Sequence, residues 1–140
     1  MKVLYRTSAT AYGARAGRAV SDDDRLDVQL SLPKELGGDG GDGTNPEQLF
    51  AAGYASCFFS AMKIAAAKSG VSLDGTEITA HVDLVKPEDV HGLRLAVELV
   101  AKIPGQDASV VQGLMDATHQ ICPYSYALRG DATVTLTPAS

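Results

Sequence analysis

The sequence predicts an α+β fold in which antiparallel sheets surround one long, buried central helix. One apolar stretch of helical length, residues 44–69, lies near the middle of the chain. The stretches on both sides alternate apolar and polar residues, the pattern of half-buried strands. The predicted order is three strands, a helix, two strands, a helix and a strand, which is typical of the α+β class. With 140 residues, we expect one domain, residues 1–140.

The first three predicted strands cover residues 3–11, 18–21 and 26–32. The third shows the clearest alternation, with one face apolar and the other polar, the apolar side chains being Leu26, Val28, Leu30 and Leu32. Turns at residues 13–17 and 22–24 join the strands. Because these connections are short, neighbouring strands run in opposite directions, and the three form an antiparallel meander.

A glycine-rich segment, residues 37–43, precedes the central helix. It lacks the Gly-Lys-Ser/Thr ending of a phosphate-binding loop, and Asp39 and Asp42 would repel an anion. It also lacks the carboxylate spacing and the terminal glutamate of a calcium loop. We therefore interpret it as a structural loop that covers the helix start.

The central helix has a clear start signal. Thr44 or Asn45 can cap it, Pro46 suits its first turn, and Glu47 or Gln48 can complete a capping box. No polar stripe follows, so such a helix must be covered on most sides. Polar residues interrupt the apolar run and the flanks are not basic, which favours a buried core helix over a membrane span; the interrupting residues are Ser56, Ser60 and Lys63.

The second half predicts a hairpin of strands 78–84 and 93–99, an amphipathic helix over 107–121, and a last strand over 132–136. Pro123 ends the second helix, since the residue before a proline avoids helical angles. In so small a chain, an uncovered sheet edge or helix face favours a homodimer.

Charge and cysteine content restrict the function classes. The net charge of −5 disfavours nucleic acid and anionic membranes as partners. The N-terminal residues show no targeting signal, so we expect a cytoplasmic protein. Thiols stay reduced there, and the two cysteines, Cys57 and Cys122, are then better interpreted as free or redox-active thiols than as a static disulfide. The alternative is that both are small apolar core residues.

Cys57 lies in the middle of the helix among small neighbours, which leave room beside its sulfur. Burial raises a thiol pKa, so a reactive Cys57 requires a nearby cation. The sequence leaves this cation open among Arg6, Arg15, Arg18, Arg94 and Arg129.

His119 stands three residues before Cys122, a spacing that also permits a cysteine–histidine nucleophile pair and hence a thiol hydrolase. The cysteines and histidines lack the paired short spacings of a zinc motif, and we expect no metal.

Two long segments carry a family resemblance. Residues 35–54 followed by Cys57, and residues 119–125, resemble the organic hydroperoxide resistance (Ohr) branch of the OsmC/Ohr family. Residues 12–21 are also similar, although Ala14 stands where a glycine is expected. The resemblance extends over essentially the whole chain.

The resemblance implies an OsmC-like fold, an intertwined homodimer, and a thiol peroxidase without metal or organic cofactor that acts as an antioxidant in stress responses. It implies that Cys57 is the peroxidatic cysteine and Cys122 the resolving cysteine, which form a redox-active disulfide. Arg15 is the implied cation beside the thiolate and Glu47 its carboxylate partner. Arg18 is the rival for the arginine role.

The implied substrates are alkyl or fatty-acid hydroperoxides. Candidate apolar contacts for them are Phe50, Phe58, Phe59, Ile64 and Tyr124. For the aromatic residues on the helix, plain core packing is the alternative. The implied reductant is dihydrolipoamide or a lipoylated protein.

Helix geometry adds a prediction about the dimer. Glu47 and Cys57 are ten residues apart, about 15 Å along one helix. Glu47 is then too far away to orient an arginine tightly at the sulfur of its own chain. We therefore predict that Cys57 of one subunit meets Glu47, and with it Arg15, of the other. The competing function is a non-catalytic binding protein for apolar ligands.

Overall fold

The computed structural model describes all residues from 1 to 140. Its strands are β1 (Ala9–Tyr12), β2 (Arg18–Ser21), β3 (Asp27–Gln29), β4 (Glu77–Val85), β5 (Arg94–Lys102) and β6 (Thr133–Pro138). Its helices are α1 (Pro46–Ser69), α2 (Ala108–Ile121) and α3 (Pro123–Ala127), with short 3-10 turns at Ala14–Ala16 and Lys34–Leu36. The chain forms two compact units, Met1–Leu49 and Phe50–Ser140, and α1 begins in the first and continues into the second. A single domain over residues 1–140 stays a prediction.

The first unit contains the predicted antiparallel meander, with strand order β1-β2-β3. β1 is shorter than predicted, because residues 3–8 pair with no other strand and their apolar side chains Val3, Leu4 and Tyr5 are exposed. β3 also ends early. Beyond it, Leu30 forms a parallel bridge with Thr44, so this segment pairs with the residues that lead into α1.

The glycine-rich loop is held by hydrogen bonds from its backbone N–H groups to the segment that precedes it. The Gly43 N–H donates to Ser31 Oγ at 2.8 Å. Gly38 passes so close to the Leu32 carbonyl that an added Cβ would lie 1.9 Å from that oxygen. Gly40 and Gly41 line one cleft together with Asn45, just before the helix, and Gln48 of its first turn. These contacts support the structural interpretation of the loop.

The start of α1 is capped as predicted. Asn45 Oδ1 accepts a hydrogen bond of 2.9 Å from the Gln48 N–H, and Pro46 is the first helical residue. The Gln48 side chain accepts a hydrogen bond of 2.6 Å from Thr44 Oγ1. Asn45 is therefore the cap, and Thr44 holds the side chain of the third helical residue.

Within one chain, α1 is covered on one face only. Its buried residues are Tyr54, Phe58, Ala61, Met62, Ala65 and Ala66. The opposite face is exposed, and Ile64 keeps 58% of its surface accessible. By length and composition alone α1 could also cross a membrane, a test that core helices of soluble proteins pass as well. The sequence predicts that α1 is covered on most of its sides, and this chain alone does not provide that cover.

The second unit contains the sheet β4-β5-β6. β4 and β5 form the predicted antiparallel hairpin, with Val82 opposite Val97. β6 pairs with β5 in parallel, so the prediction of purely antiparallel sheets is wrong at this strand. The reason is the connection, since α2 and α3 form a crossover that returns the chain in the direction of β5.

α3 was not predicted from the sequence. Cys122 has an extended backbone, with ψ of 124°, and ends α2 as expected before a proline. Pro123 then serves as the first residue of a new helix, a position where a missing N–H costs nothing. One proline therefore ends one helix and begins the next, and Cys122 lies at the corner between them.

Candidate functional site

The two cysteines come together although they are 65 positions apart in sequence. Cys57 lies on α1 and Cys122 at the corner between α2 and α3, and both are free thiols. The Cys122 thiol donates toward Cys57 Sγ over 3.7 Å. Cys122 is fully buried, whereas Cys57 is half-buried. The structure thus contains a close pair of reduced thiols with one member partly accessible.

The surroundings of Cys57 act on its thiol in opposite directions. Burial, the largest effect, raises the pKa of Cys57. The backbone N–H of Tyr124 stabilises the thiolate and lowers the pKa, while the neighbouring Cys122 raises it further. The net result is a raised pKa. Within this unit, the sulfur therefore still requires a positive charge to be reactive at neutral pH.

The predicted pair of Arg15 and Glu47 forms within the first unit. Arg15 donates two hydrogen bonds to the Glu47 carboxylate, of 2.7 and 2.8 Å. Each side chain favours the charged form of the other, so the pKa of Glu47 is lowered and that of Arg15 raised. Arg18, the rival arginine, instead forms a two-bond pair with Asp27. Of the two arginines, Arg15 is the one bonded to Glu47.

The turn that carries Arg15 has an unusual backbone. Ala14 has a φ of 53°, in the left-handed region that favours glycine. This explains why a glycine is expected there from the family resemblance. Gly17 closes the same turn, and an added Cβ would lie 1.6 Å from the Tyr12 carbonyl oxygen.

Three of the predicted apolar contacts gather around Tyr54. Phe50 and Phe58 meet the Tyr54 ring edge-on, with centroids 5.9 and 6.3 Å away, and Tyr124 lies 5.8 Å away. Gly53 permits this packing, since a Cβ there would lie 2.9 Å from Tyr124 Oη. Phe58 is fully buried in the core, while Tyr124 is 40% exposed.

The other two predicted contacts lie outside this cluster. Phe59 packs beneath the ammonium of Lys63, with Nζ 5.9 Å from the ring centroid. Ile64 is mostly exposed and lies two helical turns beyond Cys57.

His119 does not pair with Cys122. Its Nδ1 shares a hydrogen bond of 2.8 Å with Ser125 Oγ, which in turn shares one of 2.7 Å with Tyr54 Oη. The nucleophile pair that the thiol-hydrolase interpretation requires is therefore absent. The sequence did not lead us to predict Tyr54 and Ser125 as residues of the site. A signal was available, because Tyr54 stands three residues before Cys57 and Ser125 three residues after Cys122.

No group of three or more histidine, cysteine or acidic side chains lies close enough together to hold a metal ion. The second unit also contains an apolar cleft of about 600 Å³ between α1 and α2. The cleft is lined by residues that include Ala65, Val71, Val110, Leu114 and Ile121. Neither cysteine lines it.

Comparison with known proteins identifies close relatives. Residues 38–137 match the family described as OsmC-like protein. An organic hydroperoxide resistance protein of Xanthomonas axonopodis pv. citri (strain 306) is 54% identical over 138 residues, covering 99% of this chain and 96% of its own.

Solved structures show the same fold. The crystal structure of an organic hydroperoxide resistance protein from Elizabethkingia anophelis, with thiocyanate bound, superposes with a TM-score of 0.90 at 43% identity, covering 100% of this chain and 99% of its own. A crystal structure of an organic hydroperoxide resistance protein from Legionella pneumophila gives 0.89 at 43% identity, covering 99% and 100%.

Proposed function

Because the chain belongs to the OsmC/Ohr family, in its organic hydroperoxide resistance branch, we propose that it is a thiol peroxidase. It reduces organic hydroperoxides to alcohols and thereby protects the cell against oxidative stress. The observation that carries this proposal is the pair of free thiols, 3.7 Å apart, of which Cys57 is partly accessible. Relatives named organic hydroperoxide resistance proteins support the choice of substrate class.

The proposed cycle has three steps. The Cys57 thiolate attacks a peroxide oxygen, the O–O bond breaks, and the alkoxide leaves and takes up a proton, which produces an alcohol and a Cys57 sulfenic acid. Cys122 then attacks the Cys57 sulfur, so that a disulfide forms and water leaves. Finally a dithiol such as dihydrolipoamide, free or on a lipoylated protein, reduces the disulfide and is itself oxidised to a disulfide.

Ionisation of Cys57 supplies only a small part of the rate. Relative to a thiol of ordinary pKa, which is about 3% ionised at pH 7, full ionisation gains about 30-fold, or about 2 kcal/mol. The remaining acceleration has to come from holding the peroxide in place and stabilising the departing oxygen. A guanidinium at the sulfur performs both tasks.

We assign this guanidinium to Arg15, held by Glu47, in a homodimer where Arg15 and Glu47 of one subunit reach Cys57 of the other. Two observations support the assignment. Glu47 lies at the start of α1 and Cys57 ten residues further along the same helix, and the face of α1 that this chain leaves uncovered carries the exposed side chain of Ile64, an apolar residue that a second subunit can bury. The dimer supplies the charge that Cys57 lacks within its own unit.

The aromatic residues near Cys57 favour bulky organic hydroperoxides. Phe50 and Tyr124 are only partly buried and flank Tyr54, three residues from Cys57 on the same face of α1. An apolar alkyl chain gains free energy by leaving water against such rings. We place the reaction in the cytoplasm, where both thiols are kept reduced between cycles.

The proposal is tested by hydroperoxide consumption with tert-butyl hydroperoxide and dihydrolipoamide. We expect turnover by the wild type, none by Cys57→Ser, and a single equivalent consumed by Cys122→Ser, which can form a sulfenic acid but no intramolecular disulfide. Serine is nearly isosteric with cysteine, so these variants leave the packing intact. Absence of consumption by the wild type with any dithiol contradicts the proposal.

The second candidate function is binding of an apolar ligand. The apolar cleft of about 600 Å³ between α1 and α2 favours it, since ligand sites are concave and mostly apolar. Ligand binding alone predicts no loss of thiols on addition of hydroperoxide. Stoichiometric loss of both thiols on addition of a small excess of cumene hydroperoxide therefore decides between the two functions.

A further inference from the structure

The structure assigns a positioning role to the hydrogen-bonded chain Tyr54–Ser125–His119. We propose that this chain fixes the corner that carries Cys122, so that its sulfur meets the oxidised sulfur of Cys57. The inference rests on the proposed function and adds residues that act in the second step of the cycle, the condensation of the two cysteines.

The three hydrogen-bonded residues each lie three positions from one of the two cysteines. His119 lies three residues before Cys122 and Ser125 three residues after it, so their hydrogen bond of 2.8 Å closes the corner between α2 and α3 across Cys122. Tyr54 lies three residues before Cys57 on α1, and its bond of 2.7 Å to Ser125 ties that corner to the helix that carries Cys57. Three helices are thus joined at one hydroxyl group.

Burial makes the arrangement specific. Ser125 is 1% exposed and Tyr54 is fully buried, so neither hydroxyl can exchange its partner for water. A buried hydroxyl without a partner is costly, and a fully satisfied buried network rigidifies its surroundings. The pKa of His119 is lowered, mainly by burial and also by Arg129, so its ring is neutral at pH 7 and Nδ1 can share the Ser125 proton.

The condensation step requires this precision. The Cys122 sulfur forms a bond to the Cys57 sulfur, the S–O bond of the sulfenic acid breaks, and hydroxide leaves with the Cys122 proton as water. The sulfurs lie 3.7 Å apart in the reduced protein, and a disulfide bond is about 2.05 Å long. The corner must therefore hold Cys122 in line and let it approach by less than the width of one atom.

The test separates the two steps of oxidation. Reduced protein is mixed with one equivalent of cumene hydroperoxide, and sulfenic acid and disulfide are followed by dimedone trapping, thiol alkylation and mass spectrometry. Two rates are compared: the condensation of Cys122 with the Cys57 sulfenic acid, and the reaction of Cys57 with hydroperoxide. In Ser125→Ala we expect the ratio of the first rate to the second to fall about 10- to 100-fold, as for a misplaced reacting group. Sulfenic acid then accumulates, and in a parallel sample with excess cumene hydroperoxide it is converted to sulfinic acid.

Three further variants distinguish the positioning role from a general loss of stability. Thr118→Val removes a different fully buried hydroxyl, on α2, that bonds only the Leu114 carbonyl of its own helix, and we expect it to keep the wild-type ratio. Ser125→Thr restores a hydroxyl and is expected to recover part of the ratio. Tyr54→Phe keeps the ring and replaces Ser125→Ala if that variant does not fold, with the same expected fall.

An equilibrium measurement decides the inference independently of peroxidase activity. The Cys57–Cys122 disulfide is equilibrated with reduced and oxidised dithiothreitol, which gives the effective concentration of one thiol at the other. We expect the effective concentration to fall about tenfold in Ser125→Ala and to stay unchanged in Thr118→Val. If the wild type does not consume hydroperoxide but Ser125→Ala still lowers the effective concentration, the proposed function is refuted and the positioning role is kept. An unchanged effective concentration in Ser125→Ala, or an equal fall in Thr118→Val, overturns the positioning role.

Discussion

The ion pair between Arg15 and Glu47 is geometrically strong and moderately accessible. Both of its hydrogen bonds are charge-assisted, and the Arg15 and Glu47 side chains are 36% and 16% exposed. Such a pair contributes to folding as well as to chemistry, because it joins the Arg15 turn to the first turn of α1. Its share in stability is therefore measurable apart from activity.

We predict a pH-dependent stability difference between the wild type and Glu47→Gln. Arg15 lowers the pKa of Glu47 below its ordinary value of 4.5, so the pair stabilises the fold above that pH. The stabilisation is lost as the pH falls through the folded-state pKa. After allowance for solvent screening, we expect the free energy of unfolding of the wild type to exceed that of Glu47→Gln by about 0.5–1 kcal/mol at pH 7. This difference should shrink below pH 4.5.

Urea unfolding from pH 3 to pH 7 measures this difference. Asp27→Asn removes the more exposed ion pair to Arg18 and serves as the matched control, with a smaller expected loss at pH 7. If the free energies of unfolding of the wild type and Glu47→Gln differ by the same amount at pH 3 and pH 7, the ion pair does not stabilise the fold.

The left-handed backbone at Ala14 predicts a stabilising substitution. An alanine at φ of 53° costs about 1–2 kcal/mol, and glycine avoids this cost while losing more chain entropy on folding. We therefore expect Ala14→Gly to raise the free energy of unfolding by about 0.5–1 kcal/mol.

Ala16 provides the control for Ala14. It belongs to the same 3-10 turn but has an ordinary negative φ, so Ala16→Gly should destabilise. Denaturant midpoints of both variants measure the effect. If Ala14→Gly and Ala16→Gly lose the same amount of stability, the backbone at Ala14 carries no strain in solution.

At the residue scale, the sequence was informative where one residue type has one physical role. Pro46 and the cap candidates Thr44 and Asn45 predicted the helix start, because a missing N–H and a side-chain acceptor belong there, and the structure selects Asn45. The partner of His119 could not be predicted, since several polar neighbours lie within reach and the choice of Ser125 depends on how α3 turns back. The pairing of Arg15 with Glu47 came from the resemblance rather than from spacing.

At the scale of elements, the cap of α1 can be tested directly. Asn45→Ala removes the acceptor of the Gln48 N–H and is expected to cost about 1 kcal/mol of unfolding free energy. Asn45→Asp keeps an acceptor oxygen at the positive end of the helix and should retain wild-type stability. Thermal unfolding of both variants distinguishes them. A stable Asn45→Ala variant would show that Thr44 can take over the cap.

Two features that could not be predicted, α3 and the direction of β6, share one cause. α3 depends on Pro123 acting at the same time as a stop and as a start, and five residues carry no periodicity that reveals it. The direction of β6 depends on this crossover rather than on its own alternation. The residues of the β1 segment form strand only where a neighbour is present, so residues 3–8 have a strand-like sequence without a strand partner in one chain.

At the scale of the whole molecule, the predicted composite site makes subunit mixing decisive. Cys57→Ser and Glu47→Gln subunits are each expected to form inactive homodimers. If Glu47 serves the Cys57 of the other subunit, a mixed dimer contains one complete site and recovers about half of the wild-type activity. If Glu47 serves its own chain, the mixed dimer has no complete site.

Mixed dimers can be prepared by co-expression with two affinity tags, and hydroperoxide turnover is compared with that of wild-type dimers prepared in the same way. Sedimentation velocity checks the dimeric state of every sample. Absence of recovery contradicts the composite site, and a monomer at micromolar concentration contradicts the dimer.

The placement of Cys57 and Cys122 far apart in sequence has a consequence for the unfolded chain. A disulfide between residues 65 positions apart removes conformational freedom from the denatured protein and is worth about 4 kcal/mol in the chain-entropy description. For a chain of this size, that corresponds to a rise in melting temperature on the order of 10 °C. The oxidised form would therefore resist heat better than the reduced form, and the melting temperature of the protein in a cell extract would report how much peroxide it has recently met.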